Sequence, residues 1–98
     1  MHLRLVISDA IRAKLHAKHD VSPKDVSECF ENRTGSFLED DREEHRTDPP
    51  TRWFIARNHR NRLLKVCFVV RDRVIFLRTC YPPNAAEIAI YQAYGSPS

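Results

Sequence analysis

The sequence predicts one α+β domain: two N-terminal helices, a three- to four-stranded antiparallel sheet and a C-terminal helix. Three observations carry this expectation. Two helix-start signals, Ser8-Asp9 and Ser22-Pro23-Lys24-Asp25, open the first third of the chain. Three runs rich in β-branched and aromatic residues, Thr51–Asn58, Leu63–Val70 and Val74–Cys80, then follow with short polar breaks between them. The length of 98 residues suits one domain with one modest core.

In chain order, Leu3 to Ile7 alternates weakly and reads as a short first strand. Ser8 to about His19 reads as a helix, with Ile11, Leu15 and His19 at helical spacing. Lys14, His16, Lys18 and His19 fall in its last turns, where cations suit the negative end of the helix dipole. The second helix starts at Ser22, buries Val26, Cys29 and Phe30, and stops near Asn32 before the break Arg33-Thr34-Gly35-Ser36. LEDDREEHRTDPP, residues 38–50, is too charged to be buried and reads as a loop with a short edge strand near Phe37 to Glu39. The three strands come next. Arg71-Asp72-Arg73 makes a hairpin turn without the glycine that tight turns favour. Tyr81-Pro82-Pro83 breaks the last strand, and Asn84 caps a helix with Ile88 and Tyr91 on one face.

Composition excludes several classes. The longest apolar run, Val66 to Val70, falls far short of the ~20 residues of a membrane span. MHLRLVISD holds too short an apolar stretch for a signal peptide. A cytoplasmic location with no membrane partner is expected. Cys29, Cys67 and Cys80 have no metal-type spacing. They read as small core residues in a reducing compartment, ahead of a zinc site or a thiol nucleophile. Only Gly35 and Gly95 are present, so no phosphate-cradling glycine loop exists. His45 and its acidic neighbours lack convergent metal-ligand spacing and read as a solvated loop. No metal and no cofactor are expected.

Charge is unevenly placed. Residues 20–48 carry net −6, whereas residues 49–78 carry eight Lys/Arg against Asp72 alone, a local +7 within an overall +3. A local excess of that size attracts polyanions. Side chains alternate faces along a strand. Strand Leu63–Val70 therefore shows Leu64, Val66, Phe68 and Val70 on one face and Leu63, Lys65, Cys67 and Val69 on the other. Strand Val74–Cys80 shows Ile75, Leu77 and Thr79 against Val74, Phe76, Arg78 and Cys80. Each of these two strands sets one cation among apolar neighbours. A half-solvated face explains any one of them, since Lys and Arg snorkel. Several basic groups beside aromatic residues also suit an RNA-binding sheet.

Several short motifs resemble a known family. Lys18-His19, then Val21-Ser22 opening a helix that ends at Phe30, resembles the "KHGVSFEEA…F" opening of the BrnT toxins, small members of the RelE/ParE superfamily of bacterial type II toxin–antitoxin modules. Arg52-Trp53 is similar to that family's "RW" strand, NRLLKVCFVVRDRVIFLRT to its "GR.L.V.Y..R…IRIIS" hairpin, and Glu87 with Tyr91 to its terminal "E…Y" helix. The likeness spans about residues 12–92. Asp20 stands where the family usually has glycine, and TCYPPN replaces its "SARRA" segment, which removes an arginine.

The resemblance implies a RelE-like fold and an endoribonuclease that cleaves RNA without metal, by attack of a 2′-hydroxyl on the adjacent phosphate. Its implied partners are RNA, free or on the ribosome, and a small cognate antitoxin protein. Lys65 and Arg78 would stabilise phosphorane charge from neighbouring positions on the open face. Arg52, Arg57 and Arg62 would hold phosphates, and Trp53 or Tyr81 would stack on a base. Tyr81, Tyr91, Glu87 and His19 are all candidate proton carriers, a tyrosine acting as base only if Lys65 and Arg78 lower its pKa. The alternatives are a RelE-like module that binds nucleic acid or protein without cutting, and, behind it, a small hydrolase using the His45 loop.

Overall fold

The computed structural model describes residues 4–40 and 49–95. Among them are β1 (Arg4–Val6), α1 (Asp9–His19), α2 (Pro23–Asn32), β2 (Leu38–Glu39), β3 (Arg52–Arg57), β4 (Leu63–Arg71), β5 (Val74–Tyr81) and α3 (Ala85–Tyr94). The α+β class matches the expectation. The sheet itself is larger and mixed. Five strands lie in the order β1-β5-β4-β3-β2, and β1 runs parallel to β5 while the other pairs are antiparallel.

The helices start where their side chains say they should. Ser8 Oγ accepts from the Ile11 N–H to begin α1. Ser22 and Asp25 form a reciprocal capping box on α2, with proline in its first turn. Asn84 and Glu87 form a second such box on α3. Asp20 ends α1 at φ 52°, in the left-handed region. Glycine takes that conformation without strain, and aspartate tolerates it better than most residues. The β4–β5 turn likewise holds Asp72 at φ 52° and Arg73 at φ 65°, so it forms a tight hairpin although no glycine is present.

α1 and α2 cover one face of the sheet and α3 covers part of the other. Phe54, Leu64, Val66, Phe68 and Cys80 are fully buried beneath the first two helices, with Leu15, Val21, Val26 and Cys29. Phe30 of α2 meets Phe54 and Phe68 edge-on, with ring centroids at 4.8 and 5.4 Å. Trp53 points to the other face, where its ring lies 5.7 Å from Tyr91 of α3.

One irregularity changes the expected phase. A bulge at Cys67/Phe68 leaves Arg78 as the extra residue of β5, because Cys67 pairs with Thr79 and Phe68 with Leu77. Beyond the bulge every β5 side chain exchanges faces. Cys80 therefore enters the core instead of joining Lys65, Thr79 joins Cys67, and Tyr81 comes to lie opposite Lys65.

The connection from β3 to β4 folds around Asn58. Its Oδ1 accepts from the N–H groups of Arg60 and Arg62 at 3.0 and 2.9 Å, and its Nδ2 donates to Asp25 at 3.0 Å. Glu28 accepts from the His59 N–H at 2.9 Å. Asp25 and Glu28, both buried on α2, thus fix the start of β4. Arg62 is then carried to the end of α1, where it donates to the carbonyls of His19 and Asp20 at 2.6 and 2.7 Å.

Candidate active site

Lys65, Tyr81 and Glu87 converge in one hydrogen-bonded cluster. Lys65 lies mid-strand in β4, Tyr81 ends β5 directly across from it, and Glu87 is the third residue of α3. The lysine Nζ donates to Glu87 Oε2 at 2.6 Å and to the Tyr81 hydroxyl at 3.3 Å. That hydroxyl in turn donates to Glu87 Oε2 at 2.7 Å. The other oxygen, Glu87 Oε1, accepts from the Asn84 N–H at 3.0 Å, so the capping box that starts α3 also aims the carboxylate. The Lys65 ammonium stands 4.5 Å above the Trp53 ring and 5.7 Å from the centre of the Tyr81 ring.

Burial and pairing decide the protonation states. Burial opposes charge on Glu87, but the bonds from Lys65, Asn84 and Tyr81 outweigh it and hold the carboxyl below its ordinary value. Burial also opposes charge on Lys65, and the Glu87 carboxylate reverses that, raising the ammonium. Burial and the carboxylate acceptor both raise Tyr81, against the lowering pull of Lys65. At neutral pH the cluster is therefore a carboxylate, an ammonium and a neutral phenol. The condition for Tyr81 to act as a base, a lowered pKa, is not met: burial and the Glu87 acceptor raise the phenol more than Lys65 lowers it.

The lowered Glu87 pKa makes the fold acid-sensitive. A carboxyl depressed below 4.5 in the folded chain contributes stability that is present above that value. The contribution is lost as pH falls through the folded pKa, where protonation breaks the bonds to Lys65. Denaturant unfolding followed from neutral pH downward is expected to show stability falling below about 4.5 in the parent chain. Glu87→Gln should fall less steeply there. Equal slopes would contradict a depressed Glu87.

The other expected site residues are placed elsewhere. Lys65 and Arg78 do not emerge side by side. Lys65 is buried beneath α3, whereas Arg78 is exposed at the bulge. Trp53 is 8% exposed, with Lys65 over its ring, so it is a floor and not a stacking platform. Tyr91 is buried, and its hydroxyl donates to the Ser36 carbonyl at 2.9 Å, outside the cluster. Arg57 donates to the Asn61 carbonyl at 2.8 Å, and Arg52 lies exposed on β3 next to the edge strand. His19 does reach the cluster, with its ring centre 5.7 Å from that of Tyr81. Arg62 supports it through the His19 carbonyl. Any contribution of His45 lies outside the described residues. Among the described residues no group of three or more His, Cys, Asp or Glu could hold a metal ion, and no helix is long and apolar enough to cross a membrane.

Both glycines of the chain press against Tyr91. A methyl group at Gly35 would collide with the Tyr91 hydroxyl and the Gly95 carbonyl, and one at Gly95 would collide with the tyrosine ring. Tyr91 is thus the wedge that holds α3 on the sheet, and hence Glu87 over Lys65. Gly35→Ala is expected to cost about 1–3 kcal/mol in denaturant unfolding. No loss would show that the wedge is loosely seated.

On the α3 side, the cluster borders an open groove of about 480 Å³ lined by Leu38, Glu39, Asp40, Trp53, Lys65, Glu87, Ile90 and Tyr94. Tyr81 and His19 are not among the residues that line it. No protein family's sequence model matches this chain, and no curated protein matches it.

Proposed function

We propose that this chain is a metal-independent endoribonuclease of the BrnT-like, RelE type, acting in the cytoplasm as the toxin of a type II toxin–antitoxin module. The single observation that carries the reading is the hydrogen-bonded cluster of Lys65, Tyr81 and Glu87. It sets a group able to take a proton within 2.7 Å of a group able to give one.

In this reading the RNA phosphate meets the cluster on the Tyr81 side, where His19 and Arg62 lie. Glu87 takes the proton of the 2′-hydroxyl as its oxygen bonds to phosphorus. The bond from phosphorus to the 5′-oxygen then breaks, and the Tyr81 hydroxyl gives that leaving oxygen its proton. The products are a 2′,3′-cyclic phosphate and a 5′-hydroxyl. Glu87 returns its proton to the phenolate along their existing hydrogen bond, which resets the site. Lys65 stabilises the transient phenolate. Positioned acid–base groups of this kind supply about 10²–10⁴-fold in rate.

The test is to incubate the purified protein with total RNA, with and without ribosomes and with and without EDTA. Cleavage that persists in EDTA supports the reading. RNA that stays intact under all these conditions, or cleavage that EDTA abolishes, overturns it.

A second reading is a RelE-like module that binds nucleic acid or protein without cutting. One observation favours it: Glu87 neutralises Lys65, and Arg78 stands apart, so the cluster has little net charge to offer a phosphorane. RNA binding without cleavage would select it. Growth arrest on expression, relieved by a short partner encoded in an adjacent reading frame, would select the toxin.

A further inference from the structure

Four of the eight cations in residues 49–78 are engaged within the chain. Arg57 and Arg62 donate to backbone carbonyls, Arg60 pairs with Asp25, and Lys65 pairs with Glu87. Three of the others, Arg71, Arg73 and Arg78, are exposed around the β4–β5 hairpin, and β1 brings the exposed Arg4 beside them. None of β1, β4 and β5 contains an acidic residue. Asp72, in the turn, is a single carboxylate against these four arginines.

Strand phase sets the arginines around an aromatic ring. Ile75 and Leu77 of β5 point into the core, so Val74, Phe76 and Arg78 point to the opposite face, which α3 covers only in part. Phe76 pairs with Val69 of β4 on one side and with Val6 of β1 on the other. Val74, the next residue on this face, pairs with Arg71 and Arg4. Phe76 is 38% exposed, and among the described residues it is the one large hydrophobic side chain of the sheet left so open. A ring with cations on either side along the strand matches what a nucleic-acid single strand offers, a base face to stack and phosphates to pair. A duplex hides its base faces, and an acidic peptide would use the arginines without the ring.

We propose that this end of the sheet binds single-stranded RNA. One base stacks on Phe76, and flanking phosphates meet Arg78 on the Tyr81 side and Arg4 and Arg71 on the side of the hairpin turn. Phe76 lies five residues before Tyr81, about 15 Å along β5, so the stacked base belongs to a stretch flanking the reacting phosphate. The choice of RNA rests on the reading above, but the surface itself requires no cutting.

The probe is a fluorescein-labelled uridine decamer methylated at every 2′-hydroxyl, which cannot be cut by 2′-hydroxyl attack, so its anisotropy reads binding alone. Phe76→Ala is expected to raise Kd by about tenfold, and Phe76→Trp to bind at least as tightly as the parent. Arg71→Ala and Arg78→Ala alter exposed positions and should leave the fold intact. Each is expected to reduce the slope of log Kd against log salt by about 0.7. The same decamer in a duplex, and a decamer of glutamate, should displace the probe poorly. Binding through Phe76 without cleavage of total RNA would uphold this surface and overturn the ribonuclease reading. Cleavage by a chain whose Phe76→Ala variant binds as the parent does would overturn this surface and leave that reading standing. The proposal also fails if the probe does not bind, if the arginine variants keep the parent's salt slope, or if the duplex or the glutamate peptide competes as well as the single strand.

Discussion

Glu87→Gln is expected to lower RNA cleavage by about 10²–10⁴-fold in a chain that remains folded. Glutamine keeps an oxygen that can accept from Lys65 and Tyr81, so the cluster can persist, but it cannot take up the 2′-hydroxyl proton. The loss should appear in the rate at saturating RNA and not in the affinity, because in the proposed reaction Glu87 meets the reacting atoms and not the flanking phosphates. Tyr81→Phe provides an independent check, since it removes the proton donor and leaves the Lys65–Glu87 ion pair untouched. If both variants cleaved at the parent rate, the cluster would be structural.

Lys65→Met is expected to be the most damaging single change to stability. The lysine side chain is 9% exposed and the Glu87 side chain 17% exposed, at 2.6 Å from each other. Removing the ammonium leaves a carboxylate under α3 with only Tyr81 and Asn84 as donors. Breaking a buried ion pair on one side costs about 3–5 kcal/mol. Lys65→Met combined with Glu87→Gln should cost clearly less than the two single changes added together, because no charge is then left buried. Denaturant unfolding of the four chains measures this coupling. Simple additivity would mean that the two residues do not depend on each other.

The local elements were legible in the sequence because their signals are local. Ser22, Pro23 and Asp25 spell a helix start, and so do Asn84 and Glu87. The alternation in Leu63–Val70 assigns Leu64, Val66 and Phe68 to the core, and they are there. Long-range features were not legible. The parallel pairing of β1 with β5 joins residues about seventy positions apart and leaves no mark in either segment. The bulge at Arg78 carries no glycine to announce it. It decides that Tyr81, and not Cys80, lies beside Lys65, and that Arg78 does not.

The sequence marks Lys65, Tyr81 and Glu87 each as a candidate, but in separate roles. Its alternation places Lys65 as a free cation on an open face. One signal pointed to its pairing: Glu87 is the sole acid after Asp72, and it sits in the first turn of the helix that follows the sheet. A lysine placed among Val66, Cys67 and Leu64 needs such a partner if it is to be buried. The structural role of Tyr91 had a signal too, in the scarcity of glycine. Both glycines are spent where a side chain would strike the Tyr91 ring or hydroxyl.

The chemical identity of newly formed RNA ends, read in EDTA for the parent chain and for Glu87→Gln, tests the central claim most directly. Transfer of a 2′-hydroxyl proton to Glu87 predicts 2′,3′-cyclic phosphate and 5′-hydroxyl ends from the parent and none above background from the variant. Ends bearing a 5′-phosphate, or equal cyclic-phosphate yields from both chains, would contradict it.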